Sequence, residues 1–223
     1  MLTKPYRDGG TAIDSWDIQE LATGINVRGT LNDARDTDEG WTVELALPWS
    51  VLEECAHKPA PPEDGDQWRV NFSRVEWRTE AVDDEYVKVT DPETGKSLPE
   101  DNWVWSPQGL INMHYPEMWG FVQFSTAPAG DSEVAFVPDR NHRERQTLFE
   151  IYYAEREHHG NNGAYTDSLA ELGLPEPRRT VLLWPPSIAV TPGMFEARIG
   201  THDGGTLHIS HDGHIWHVPG DVE

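Results

Sequence analysis

The sequence predicts a mainly β fold that ends in a small α+β unit, and three observations predict it. Residues 1–126 carry short runs of alternating apolar and polar side chains between clusters of Gly, Pro, Asn and Asp, which is the pattern of half-buried strands and turns. The one long run with helical spacing falls late, at residues 139–159. Three short strand patterns follow it, the last two joined by Asp212-Gly213, a strong hairpin signal. A length of 223 residues suits one large β domain or a domain with an appendage, and ten tryptophans supply the aromatic area for a packed core.

Each element follows from its own residues. Leu21, Thr23, Ile25, Val27 and Leu31 alternate with Asn26, Arg28 and Thr30 as a first strand. An acidic turn over residues 32–40 leads into the cleanest strand, with Trp41, Val43, Leu45 and Leu47 on one face. Pro48 stops that ladder because it has no N–H to donate. Ser50 is expected to open a short helix over residues 51–56, with Glu53 in capping-box position. After a Pro-rich loop, residues 68–77 form a strand with a break in parity. Trp68, Val70 and Phe72 share one face, Val75 and Trp77 the other, which predicts a bulge near Ser73-Arg74. Residues 78–102 read as polar and turn-rich, and residues 103–105 and 119–124 as the last strands of this unit.

These elements define a domain over residues 1–126, a linker over 127–138 and a small α+β unit over 139–223. In the last, the helix of residues 139–159 is expected to end at Gly160, and residues 168–172 to form a second short helix stopped by Gly173. Strands are expected at 195–199, 206–211 and 214–218. If Asp212-Gly213 is a two-residue turn, His211 pairs with His214 and His208 with His217. Two histidines across a hairpin make a weak zinc site, and an exposed polar hairpin is the expected outcome.

The formal net charge is -22, from 17 Lys and Arg against 39 Asp and Glu. Residues 1–126 hold 10 basic against 24 acidic side chains, so the acidity is spread along the chain. So negative a surface repels phosphate backbones and anionic lipid, which argues against nucleic-acid and membrane partners. No apolar run reaches the length of a membrane span, and the first ten residues carry no signal-peptide pattern, so the chain as written is not expected to be exported. Cys55 is the only cysteine, so no intrachain disulfide forms and the redox compartment is unreadable.

Three stretches together carry a family resemblance. They are Gly40-Trp41-Thr42-Val43-Glu44-Leu45-Ala46-Leu47-Pro48-Trp49, then Trp68-Arg69-Val70-Asn71-Phe72-Ser73-Arg74-Val75-Glu76-Trp77. The third is Trp103-Val104-Trp105-Ser106-Pro107-Gln108-Gly109, followed by Met113-His114-Tyr115-Pro116-Glu117-Met118-Trp119-Gly120. In their order and spacing they resemble the family 9-like carbohydrate-binding proteins, over about residues 1–126. The resemblance implies part of an antiparallel β-sandwich and a polysaccharide or oligosaccharide ligand. It also implies bound Ca2+, glycoside hydrolase partners and an extracellular, periplasmic or cell-surface setting. Against that family the chain starts after the first strands of the sandwich, so it is expected to be a fragment that exposes apolar surface. Met113 stands where xylanase-attached members place a sugar-clamping tryptophan. Residues 148–153 with 163–169 and the small sheet are similar to the soluble part of pilin-like proteins, without their membrane-spanning helix.

Sugars are held by flat aromatic faces against their C–H face and by planar polar side chains at their hydroxyls. The candidate platforms are Trp77, Trp103 and Trp105, and the candidate polar partners are Asn71, Arg74, Glu76 and His114. Trp103 and Trp105 share a strand face and suit either packing or a platform. Arg74 and Glu76 suit either an edge-strand ion pair or sugar contacts. Trp41, Trp49, Trp68 and Trp119 are expected in the core. The acidic turn offers oxygen ligands without EF-hand spacing, since Leu47 stands where the twelfth-position Glu belongs, and a solvated turn is expected. Glu44, Glu76 and Glu117 are the carboxylates a glycosidase would draw on, but no nucleophile elbow, zinc-protease motif or phosphate loop is present. The leading reading is therefore non-catalytic carbohydrate binding. The alternatives are a glycoside hydrolase fragment acting on O-glycosyl bonds, or a structural protein that works through its C-terminal unit.

Overall fold

A computed structural model describes residues 9–54, 56, 58–109, 112–131, 133–176 and 183–220. Residues 1–8 and Cys55 lie outside them. The chain is mainly β, with antiparallel pairing throughout, and divides into two compact units, Met1–Val134 and Ala135–Glu223. Among the described residues no helix is long and apolar enough to cross a membrane.

Among its described residues the first unit holds four two-stranded antiparallel ladders. Strands β1 (Ala22–Arg28) and β2 (Gly40–Ala46) pair so that Thr23, Ile25 and Val27 face Leu45, Val43 and Trp41. That face is apolar, yet Ile25 is 72% exposed and Trp41 55%. Trp41 is thus not a core residue, because among the described residues no second layer lies opposite this two-stranded one to bury it. The first strand stops before Leu31, since Gly29 (φ 146°) takes a conformation open to glycine and Asn32 is left-handed.

Helix α1 (Trp49–Glu53) starts two residues earlier than expected. Pro48 is its N-cap and no side chain caps it, so Ser50 lies within the helix and forms no capping box. Trp49 packs edge-on against Trp68 and Phe124, which also meet edge-on, with centroids 5.4–5.9 Å apart. This aromatic triad ties α1 to β3 (Gln67–Val70) and to the end of β8 (Gly120–Gln123), which pair with each other.

The predicted bulge is instead a change of partner. The strand is interrupted at Asn71 and Phe72 and resumes as β4 (Ser73–Glu76), which pairs with β7 (Asp101–Val104). Residues 78–102 also hold a hairpin, β5 (Thr79–Val82) and β6 (Glu85–Lys88), turning through Asp83 and Asp84, both with positive φ. That is the backbone a two-residue type I′ turn requires.

In the second unit, helix α2 (His142–Asn162) lies on a four-stranded antiparallel sheet whose strands run in the order β12 (Ile215–Val218), β11 (Thr206–Ser210), β10 (Met194–Gly200) and β9 (Ser187–Thr191). Asp139 precedes the helix and its carboxylate accepts the Asn141 N–H at 2.9 Å. Gly160 is an interior residue, and the helix ends at Gly163, which takes the left-handed C-cap. Residues 168–172 make a turn and not a helix, too short to offset the cost of helix nucleation. Strand β9 (Ser187–Thr191) precedes the expected ones, β10 (Met194–Gly200), β11 (Thr206–Ser210) and β12 (Ile215–Val218). Leu148, Ile151 and Tyr152 of α2 meet Phe195, Ala197, Ile199, Leu207 and Ile209 in a core where no side chain exceeds 3% exposure.

The last hairpin is in a different register from the expected one. Ser210 N donates to His214 O, and Gly213 (φ 83°) sits in the left-handed region, so the loop is His211-Asp212-Gly213. Asp212 Oδ1 accepts from Ser210 Oγ at 2.5 Å and from His214 N at 3.3 Å, fixing that three-residue geometry. A slip of one residue turns every side chain to the other face. His208 therefore pairs with Trp216 and Leu207 with His217, while His211 lies in the loop.

Candidate functional site

The change of partner at Asn71 and Phe72 builds an exposed face that mixes aromatic and charged side chains. On β4 and β7 the paired residues are Arg74 with Trp103 and Glu76 with Asp101. One step earlier, Trp105 N donates to Phe72 O at 3.0 Å and extends the ladder beyond β7. Since alternate residues of a strand share a face, Phe72, Arg74 and Glu76 stand beside Trp105, Trp103 and Asp101.

The two tryptophans of this face do different things. Trp105 is anchored: its indole N–H donates to Val70 O at 3.0 Å, and Phe72 meets its ring edge-on at 5.6 Å. Its ring also lies so close over Gly120 that a Cβ there would sit 2.7 Å from Cζ2. Trp105 thus packs against both sides of the strand interruption. Trp103 is 63% exposed, and among the described residues no aromatic ring lies against it. Of the two, Trp103 has the free face that a platform needs.

The polar groups are compensated within the face. Arg74 Nη2 donates to Glu76 Oε1 at 3.2 Å, and Arg78 Nε lies 3.8 Å from Asp101 Oδ2. All four side chains are about half exposed or more, so each pair contributes only ~0–1 kcal/mol to stability. Their value is geometric. A guanidinium fork and a carboxylate held beside an indole present donors and acceptors together.

The remaining candidates lie elsewhere. Trp77 has the opposite parity to Arg74, and Lys88 Nζ sits 3.4 Å above its ring centroid, so one face of that indole is occupied. Asn71 is half-buried in the interruption between β3 and β4. His114 is exposed in the loop before the 3-10 turn Pro116–Met118, its N–H donating to Asn112 Oδ1. Phe72 and Asp101 were not read as site residues from the sequence. Phe72 was findable, two residues before Arg74 on the same parity, whereas Asp101 needed the strand pairing.

The acidic turn engages its own carboxylates. Arg35 holds Asp33 through Nε at 2.7 Å and Nη2 at 2.6 Å, which keeps the Asp33 carboxyl below its ordinary range. Asp36 accepts the Thr30 hydroxyl and Asp38 the Thr30 N–H. Asp33 is thus engaged by Arg35, whereas Asp36 and Asp38 share Thr30 as their partner. Among the described residues no group of three or more His, Cys, Asp or Glu side chains is placed to hold a metal ion.

Compared with known proteins, the chain matches no family model, no curated protein and no solved structure at a significant level.

Proposed function

We propose that this chain is a non-catalytic carbohydrate-binding module whose Trp103 face holds a polysaccharide for glycoside hydrolases acting beside it. The observation that carries the reading is the exposed Trp103 indole directly across the ladder from Arg74, itself joined to Glu76. An indole face covers the C–H side of a pyranose, and the guanidinium and carboxylate take its hydroxyls. The family resemblance of residues 40–49, 68–77, 103–109 and 113–120 supports the same ligand class, and with it an exported or cell-surface setting.

At the Trp103 face a binding role suits Glu76 and Asp101 better than a catalytic one. A glycosidase's general acid keeps its proton at neutral pH because burial raises its pKa. The Glu76 and Asp101 side chains are 47% and 53% exposed, and each lies beside an arginine. Such groups hold water and hydroxyls but lack the desolvated setting of a proton donor.

Affinity electrophoresis against xylan, soluble cellulose derivatives and pectic glycans tests the reading. At least one polymer should retard the chain, and Trp103→Ala should weaken retardation about tenfold, the scale of one lost aromatic contact. If none of these polymers retards the chain, sugar binding is wrong. Hydrolysis of a chromogenic glycoside that disappears in Glu76→Gln would replace it with the glycosidase reading.

A further inference from the structure

Resting on the sugar-binding reading, we infer that the Trp103 face takes the flank of a neutral polysaccharide along the chain's length, and neither a chain end nor a uronate-bearing polymer. Shape is the first ground. Holding a chain end requires groups that close around the terminal ring. Here the binding groups form a row on a sheet face: Phe72 with Trp105, Arg74 with Trp103, Glu76 with Asp101. From residue 72 to residue 76 the row runs four strand steps of about 3.3 Å, roughly 13 Å, which is longer than one pyranose ring. Trp103 lies in the middle of that row, and among the described residues no second ring faces it to form a clamp.

Charge is the second ground. Arg74, the arginine of the row, is joined to Glu76, and Arg78 just beyond its end lies beside Asp101, so among the described residues the row offers no uncompensated cation for a uronate. Around it, residues 1–126 carry 24 acidic against 10 basic side chains. That field repels a polyanion at low ionic strength and leaves a neutral chain unaffected. A neutral ligand also lets the two ion pairs stay intact, with hydroxyls bridging their exposed edges.

The test uses the full chain with arabinoxylan or hydroxyethylcellulose, the same polymer after borohydride reduction of its chain ends, and polygalacturonate at low salt. Retardation by the neutral polymer should survive end reduction within about twofold, and polygalacturonate should give none. Calorimetry with neutral oligosaccharides of increasing length should show affinity rising from the monosaccharide to the trisaccharide and then levelling off, because about three linked rings span a row of roughly 13 Å. Trp103→Phe should keep most of the binding that Trp103→Ala loses, which separates a lost platform from a misfolded variant. Loss of binding on end reduction, equal affinity for the monosaccharide and the trisaccharide, or preference for polygalacturonate would each overturn the inference while sugar binding stood. Failure of every polymer would instead remove the reading beneath it.

Discussion

The two units use similar amphipathic patterns with opposite results. In Ala135–Glu223, α2 covers one face of a four-stranded sheet, and among the described residues eight apolar side chains are buried to 3% exposure or less. In Met1–Val134 the β1–β2 ladder is as regularly patterned, yet Ile25, Trp41, Val43 and Leu45 are all more than 45% exposed. Alternation therefore chooses which face is apolar, and only an opposing layer makes that face a core. A second layer multiplies the contacts per side chain, and most of the free energy of packing comes from them.

The largest expected effect measures that difference directly. Leu207→Ala in the second unit should cost about 2–5 kcal/mol, the range for truncating a fully buried leucine. Val43→Ala, 46% exposed, should cost less than about 1 kcal/mol. Hydrogen exchange of each unit's own amides in the two variants reads the losses separately. Equal losses would break the comparison, since they would mean that β1 and β2 are covered in solution.

The same contrast explains what the sequence made legible. The β1–β2 ladder was readable because strict alternation and Pro48 are local facts, but its exposure was not, since burial depends on what lies opposite. The parity break after Phe72 was visible; that it marks a change of partner from β8 to β7 follows only from pairing between residues far apart in the chain, such as Glu76 with Asp101 and Val70 with Gly120. The same parity rule placed Trp103 and Trp105 on one face, while the pairing of Trp103 with Arg74 was out of reach. The β9–β10 hairpin had a local signal in Pro192-Gly193, as did β5–β6 in Asp83-Asp84, where two positive φ angles are met without glycine. In the last hairpin an Asp-Gly pair suggested two loop residues, and the Asp212 hydrogen bonds select three.

A smaller effect should separate the second unit's apolar core from its buried acids. Glu155 is fully buried, with Oε2 accepting the Thr166 N–H at 3.2 Å and Oε1 unpaired among the described residues. Burial raises its carboxyl above the ordinary glutamate range, opposed by the Thr166 N–H and by His158, with Asp167 adding to the rise. Between the ordinary and the raised value the folded chain holds a proton that the unfolded chain has released. This contribution to stability is complete below the ordinary glutamate range and is lost as pH rises through the raised value. Glu150, raised by burial alone, acts in the same direction. Glu155→Gln keeps an acceptor for Thr166 and removes the buried charge, so it should stabilise the unit at neutral pH by on the order of 1 kcal/mol. Thermal unfolding across that pH range should show a shallower decline in the variant. An unchanged slope would mean that Glu155 reaches water in the folded chain.

The smallest change in stability should come with a visible change in surface. Trp41 lies opposite Val27 at the end of the apolar β1–β2 face and is 55% exposed. Trp41→Lys removes a large ring from that face and leaves the ladder's backbone bonds intact. The lysine stem still lies along Val27 while its charge reaches water. Stability should change by no more than about 0.5 kcal/mol, the usual scale for a surface substitution. Binding of a hydrophobic dye such as ANS should fall clearly, since exposed apolar patches of this kind bind such dyes. The matching change in the second unit, Ile209→Lys, places a charge in the closed core and should unfold that unit instead. If Trp41→Lys destabilised the chain as strongly as Ile209→Lys, the β1–β2 face would be buried in solution, and the two units would differ only in where their second layer comes from.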